Sequence, residues 1–467
     1  MEIKVGVVFF TAGWFKDVGL QSGSSDLTIQ VESIAKNIIN ELKVFCKPIY
    51  NGIVSSIESA QKTADILIKE DVDALLISPL MWSEDILLKT ILKKLPNKPI
   101  IFCTFIPYEF FPDYLSFDEM LKGSGTVGSL QMSGFLKREG YNYEPLVGYY
   151  KDKNLYLELK KNLSSIFISK DLKDLKVGIL PFRCDQMTTT YVDEFIMHKL
   201  YGIEFEYLEL IKVKEIAQNF SKNDIDVFLT LIYDLGFIIE VDDKNLTEAA
   251  KYSLALENII KERNLKALAI NDVIDEMHSC FGLRPCLVNP RLTDYGVSVS
   301  MEADIAAVVA MYILNQFTGQ KPFYSEILCA SLSENSMILG HAGYYEYENA
   351  DPNYPVKIIS DPEYKTTDRF SGACLYYKYK PGPITLINSV YNNEKITWSV
   401  TQGFSLEGPP KLEGDPHVYC KLEKPLRVFF EENIKNGVSQ HWLVLYGHIA
   451  DDLKVICRWN NIGFIQI

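Results

Sequence analysis

KVGILPF, from Lys176 to Phe182, repeats almost letter for letter the run KVGVVFF from Lys4 to Phe10. Each is a short apolar stretch followed by a helical pattern, and each opens a series of the same kind. Behind the first come a helix over 27–42, VFCKPIY, a helix over 55–70, DALLISPL from Asp73, a helix over 83–95 and KPIIFCTF from Lys98. Behind the second come a helix, FEYLEL, another helix, DVFLTLI read as a strand, a long helix over 245–263 and ALAIND. Apolar β-rich runs alternating with amphipathic helices predict parallel sheets covered on both faces. The fold class is therefore two Rossmann- or flavodoxin-like α/β layers, with a helical linker near 155–172 between them. Neither layer carries a G-x-G-x-x-G after its first strand or a P-loop, so nothing argues for a nucleotide.

Beyond residue 320 the texture changes to short β-rich runs: SEILCASL, SMILGHAG, GACLYYKYK, PITLINSV, KITWSVTQGF, VYCKLE and WLVLYGHI. Turn signals such as Pro381-Gly382 and Asn392-Asn393 separate them. This predicts a C-terminal β-barrel or sandwich, closed by the helix IADDLKVICRWN and the strand GFIQI. The expected domains are 1–172, 173–320 and 321–467, since a chain of 467 residues is too long for one core.

Composition narrows the function. A net charge of −14 without a basic stripe leaves no footprint for nucleic acid. No segment approaches a membrane span, and MEIKVGVVFF has no export signal, so the expected setting is cytoplasmic and away from membranes. The nine cysteines include no C-x-x-C pair and read as reduced, mostly buried thiols.

The candidate chemistry lies between Ser298 and Gly343. Glu302 is placed at the head of an apolar helix, with Asp304 two residues on; Glu326 falls in the strand FYSEILCA, and His341 ends SMILGH. His441, which opens WLVLYGHI, supplies a fourth donor. Carboxylates and imidazoles brought from separate elements suit a divalent cation. Each also has a plain structural alternative: helix capping for Glu302, a solvated face for Glu326, packing for the histidines. Asp185 and Met187, in FRCDQM, follow the first strand of the second layer at the edge where such sheets bind ligands. Gly123 to Tyr141 begins as a glycine-rich turn entering a helix, and its glycines either admit a ligand or shape the loop.

In chain order these residues resemble the L-fucose isomerase and L-arabinose isomerase superfamily. Glu302-Ala303-Asp304 is similar to its Glu-Gly-Asp element, KPFYSEIL to the segment carrying its second metal carboxylate, and LGHAG to its His-x-Gly strand end. Gln440-His441 stands where the family has a His-His pair, and FRCDQM resembles Arg-Phe-Gly-Asp-Asn-Met. Departures are Gln440 for the first histidine, Ala342 for a cysteine and Met301 for a residue that is often cysteine.

The resemblance implies a Mn²⁺-dependent aldose–ketose isomerase, other divalent cations being possible, that works on an open-chain sugar through an enediolate. Glu302, Glu326, His341 and His441 are then the metal ligands, with the two glutamates also the acid–base pair. Asp304, Asp185 and Met187 are the substrate-side residues, and Asp304 orients a ligand or a sugar hydroxyl. Gln131 is the expected contact to a neighbouring subunit's site in a homo-oligomer, a trimer or hexamer. The alternatives are a non-catalytic sugar-binding protein of the same fold, or a metal-dependent epimerase or lyase.

Overall fold

The computed structural model describes residues 3–15, 17–18, 27–343, 347–362 and 372–467. The chain divides into two compact units, 1–167 and 168–467. The first unit is a parallel sheet of β1 (Lys4–Phe10), β2 (Lys47–Ile49), β3 (Ala74–Pro79), β4 (Ile100–Ile106) and β5 (Tyr143–Tyr149). Their order, β2-β1-β3-β4-β5, is the flavodoxin order. β1, β3 and β4 are buried along nearly their whole length, as strands covered on both faces must be.

The glycine-rich stretch before Gln131 has a packing function. It forms the helix Gly125–Arg138, and a Cβ on Gly125 would stand 2.6 Å from the Pro79 carbonyl oxygen. Gly128 would likewise meet the Pro79 ring at 2.9 Å. Glycine here lets the helix lie directly on the end of β3.

The second unit holds the second α/β layer and the β-domain around one shared core. Its parallel sheet contains β6 (Lys176–Leu180), β7 (Glu204–Tyr207), β9 (Ala267–Ile270) and β10 (Ser298–Ser300), in the order β10-β9-β6-β7. One expectation fails here: DVFLTLI is not a strand but part of the helix Lys222–Asp234. A capping box between Ser221 and Asp224 starts that helix, and Ile225, Phe228, Leu229 and Ile232 form its buried face. That spacing is helical, and the β-branched composition of the run does not override it.

The β-domain is a closed barrel. β11 (Phe323–Ser331), β12 (Ser336–Gly340), β15 (Gly382–Asn392), β16 (Lys395–Ser405), β17 (His417–Leu422) and β18 (His441–Tyr446) run β15-β18-β11-β12-β17-β16, and β15 pairs back onto β16. β19 (Gly463–Gln466) adds to β16 in parallel. Closure removes the free edges that an open antiparallel sheet would expose.

GACLYYKYK is not one of the six barrel strands, although Lys378 bridges to His417 at the start of β17. Its strand β14 (Cys374–Tyr376) pairs with β13 (Lys357–Ile359), which pairs in parallel with β8 (Ile238–Glu240), so a small third sheet ties the α/β layer to the C-terminal region. A further helix, Leu426–Asn436, lies between β17 and β18.

The helix Ile305–Thr318 is buried on every side from Ile305 to Leu314. It packs against β9 and β10 on one side and against β15 and β18 on the other. An all-round apolar helix has no solvent face, and this one is the axle on which the two halves of the unit meet.

Candidate metal centre

Three segments at the carboxyl ends of parallel strands come together first. The loop after β6 carries Cys184 to Met187, the segment after β9 carries Asn271 and Asp272, and the turn after β10 carries Glu302. This is the edge where open α/β sheets place ligands. Asn271 Nδ2 donates to the carbonyls of Phe182 and Arg183, at 3.3 and 3.1 Å, and so fixes the first loop against β9.

Glu302 is not at the head of a helix. It and Ala303 have positive φ, 56° and 51°, in a turn that precedes the N-cap, and the capping residue is Asp304. Left-handed backbone is costly for residues with a Cβ, so other groups must hold this turn. Glu302 N donates to Asp272 Oδ1 at 2.8 Å, Ala303 N to the Ile270 carbonyl at 2.8 Å, and Tyr324 Oη to the Met301 carbonyl at 3.1 Å.

The barrel delivers its residues by register. Glu326 on β11 pairs with His441 on β18 on one side and with Gly340 on β12 on the other. Directly opposed residues share a face, so Glu326 and His441 project together, and His341 follows Gly340 immediately. Asn388 on β15 donates to the Ser439 and His441 carbonyls at 2.9 and 2.6 Å, and Ser389 donates to the Ala306 carbonyl at 2.8 Å. Two adjacent buried side chains thus pin the start of β18 and the start of the central helix.

One ligand atom from each of Glu302, Glu326, His341 and His441 lies within 4.8 Å of the others. His441 Nε2 is 2.8 Å from Glu302 Oε2 and 3.6 Å from Glu326 Oε1; His341 Nε2 is 3.6 Å from Glu302 Oε1. Behind the rings, His441 Nδ1 donates to Asp304 Oδ2 at 2.7 Å, and His341 Nδ1 donates to the Ala342 carbonyl at 2.6 Å. With Nδ1 satisfied from outside, each imidazole turns Nε2 inward, which is the tautomer and orientation a metal-ligating histidine needs. Tyr324 packs against both rings, with centroids 5.1 Å from His341 and 4.8 Å from His441.

The electrostatics agree with a site built for positive charge. Burial opposes ionisation of Glu302, yet His341 and His441 hold its carboxyl far below the usual carboxylate range. Burial likewise opposes protonation of His441, yet Asp304 and Glu302 push it up to about 10. Two carboxylates and two inward imidazoles, with Glu302, His341 and His441 buried and Glu326 partly exposed, fit a divalent cation of intermediate hardness.

The other sequence candidates fall in different places. Asp304 is wholly buried; Oδ1 accepts from Ala307 N at 2.8 Å while Oδ2 faces His441, so both its oxygens are turned to the protein. Met187 Sδ is 3.1 Å from Gln440 Nε2, beside His441, whereas Asp185 is exposed and bound to Arg183 and Tyr191. Gln131 lies in the first unit and accepts from Trp82 Nε1 at 2.9 Å. The sequence did not single out Asp272, Tyr324 or Asn388. Asp272 carried one usable signal, its place in the polar pair Asn271-Asp272 that follows a buried parallel strand.

The chain is similar to sulfoquinovose isomerases. It is 21% identical to the one from Alkalicoccus urumqiensis over 321 residues, 66% of this chain and 69% of that protein. To the one from Priestia aryabhattai it is 20% identical over 411 residues, 88% of this chain and 89% of that protein. The protein from Clostridium sp. MSTE9 is 21% identical over 268 residues, 57% of this chain and 58% of its own length. No family model matches the chain.

Proposed function

We propose that the protein is a metal-dependent aldose–ketose isomerase. The observation that carries this reading is the convergence of Glu302, Glu326, His341 and His441 within 4.8 Å, with Nδ1 of each histidine anchored from outside. Similarity to sulfoquinovose isomerases over 88% of the chain supports a sugar as substrate, and sulfoquinovose is the first sugar to test.

The four side chains would hold Mn²⁺ or a related divalent cation. When bound, it supplies Lewis acidity at the sugar carbonyl and the neighbouring hydroxyl. Glu302 and Glu326 serve as ligands and as the acid–base pair that moves a proton between adjacent carbons. Glu326, with 29% of its side chain exposed, is the more accessible of the two. Asp304 orients His441 and keeps its Nδ1 protonated; Met187 and Gln440 line the approach beside His441. Gln131 completes the site of a neighbouring subunit in a trimer or hexamer.

The test is ketose formation from sulfoquinovose, L-fucose, L-arabinose, D-arabinose and D-galactose with added Mn²⁺, run in H₂O and D₂O. Isomerisation that is lost with a chelator and restored by Mn²⁺ supports the reading. A protein that takes up no Mn²⁺ and converts none of these sugars favours the non-catalytic binding protein, and a product inverted at one carbon marks an epimerase.

A further inference from the structure

We infer that Asp272 is a positioning residue that holds Glu302 in its working conformation; this rests on the reading of the four-residue cluster as a metal centre. Glu302 and Ala303 form two consecutive left-handed residues, at φ 56° and 51°, and neither is glycine. Such a turn does not hold itself, because each Cβ crowds the backbone. Asp272 grips it at the decisive point: Oδ1 accepts the Glu302 amide at 2.8 Å, while the next amide, of Ala303, is taken by the Ile270 carbonyl two residues before Asp272.

Asp272 is itself held in place. It is wholly buried, and its other oxygen lies 3.5 Å from Arg284 Nη1 without a hydrogen bond. Arg284 is also buried, and Asp361 fixes it through paired bonds of 2.6 Å from Nε and 2.8 Å from Nη2. A bidentate arginine–carboxylate pair has little angular freedom, so the guanidinium stands still beside Asp272 and balances its charge. Three charged groups in series, none touching the centre of the cluster except through a backbone amide, thus set the direction of the Glu302 carboxylate.

The experiment is calorimetric titration with Mn²⁺ alone, together with thermal unfolding of the chelator-treated protein. D272A should bind Mn²⁺ at least tenfold more weakly. The double variant D272A/A303G should regain part of that affinity, because glycine removes the strain of the second left-handed residue while Glu302 keeps its own. A purely structural role for Asp272 would not respond to A303G. Should D272A fail to fold, D272S takes its place, since a serine hydroxyl falls short of the Glu302 amide. Binding of Mn²⁺ by D272A or D272S within twofold of wild type, or a loss that A303G leaves unchanged, overturns the inference. If the wild-type protein takes up no Mn²⁺, it is the metal-centre reading that fails instead.

Discussion

Glu302 and Glu326 belong to one cluster but are positioned by opposite means. Glu326 sits in regular antiparallel pairing, opposite His441 and Gly340, and needs nothing beyond barrel register to point where it does. Glu302 sits in a left-handed turn after a parallel strand, almost fully buried and bound through its amide to Asp272. One carboxylate is placed by periodicity, the other by strain held in check by surrounding hydrogen bonds. The difference teaches that Glu302 is the anchor of the cluster, since both imidazoles turn their Nε2 toward it, and that Glu326 is the more open partner.

The sharpest test of this contrast is E302Q, which removes the charge both histidines face. It should abolish detectable Mn²⁺ binding in a calorimeter and all turnover with it; near-wild-type turnover would show the assignment to be wrong. E326Q should lower turnover by about 10²- to 10⁴-fold, the usual worth of a general acid or base. Its Mn²⁺ affinity should fall less than that of E302Q, and equal losses in the two variants would erase the distinction between anchor and open partner.

D304N should weaken Mn²⁺ binding by about 10- to 100-fold, as loss of a ligand's outer partner does. Asparagine still caps the helix, so the thermal midpoint should move little; a large drop would mean that Asp304 acts chiefly as a cap.

The anchor also makes a pH-dependent contribution in chelator-treated protein. Folding raises the His441 pKa from 6.5 to about 10, so its stabilisation is complete below 6.5 and is lost as pH climbs toward 10. The thermal midpoint should therefore fall over that interval more steeply in wild type than in H441N. Matching slopes would remove the Glu302–His441 contact from the account. The smallest effect is expected from Y324F, which loses the bond to the Met301 carbonyl: about 1 kcal/mol of stability in denaturant titration and a few-fold in Mn²⁺ affinity.

Much of the architecture was legible because it is periodic. The repeated KVG runs and their helices announced parallel sheets, and the short alternating runs after residue 320 announced the barrel. Legibility failed where composition and spacing disagreed: DVFLTLI has the residues of a strand and the buried face of a helix, and packing followed the face. GACLYYKYK reads as another barrel strand, yet its strand β14 pairs with β13 outside the barrel and its end meets β17 at a bridge between Lys378 and His417, since strand partners are chosen by tertiary contact.

For the site, the chain by itself determined which donors were on offer. Glu302, Glu326, His341 and His441 were each visible as residues of the right chemistry in suitable places. Their meeting was decided only in the tertiary structure, because a donor's direction depends on groups remote in sequence. Strand register turns Glu326 and His441 to one face, Asp304 and the Ala342 carbonyl set the two rings, and Asp272 holds Glu302 in a conformation that no local propensity would select. Residue type is a local property; orientation is paid for by hydrogen bonds that span up to 137 positions of the chain.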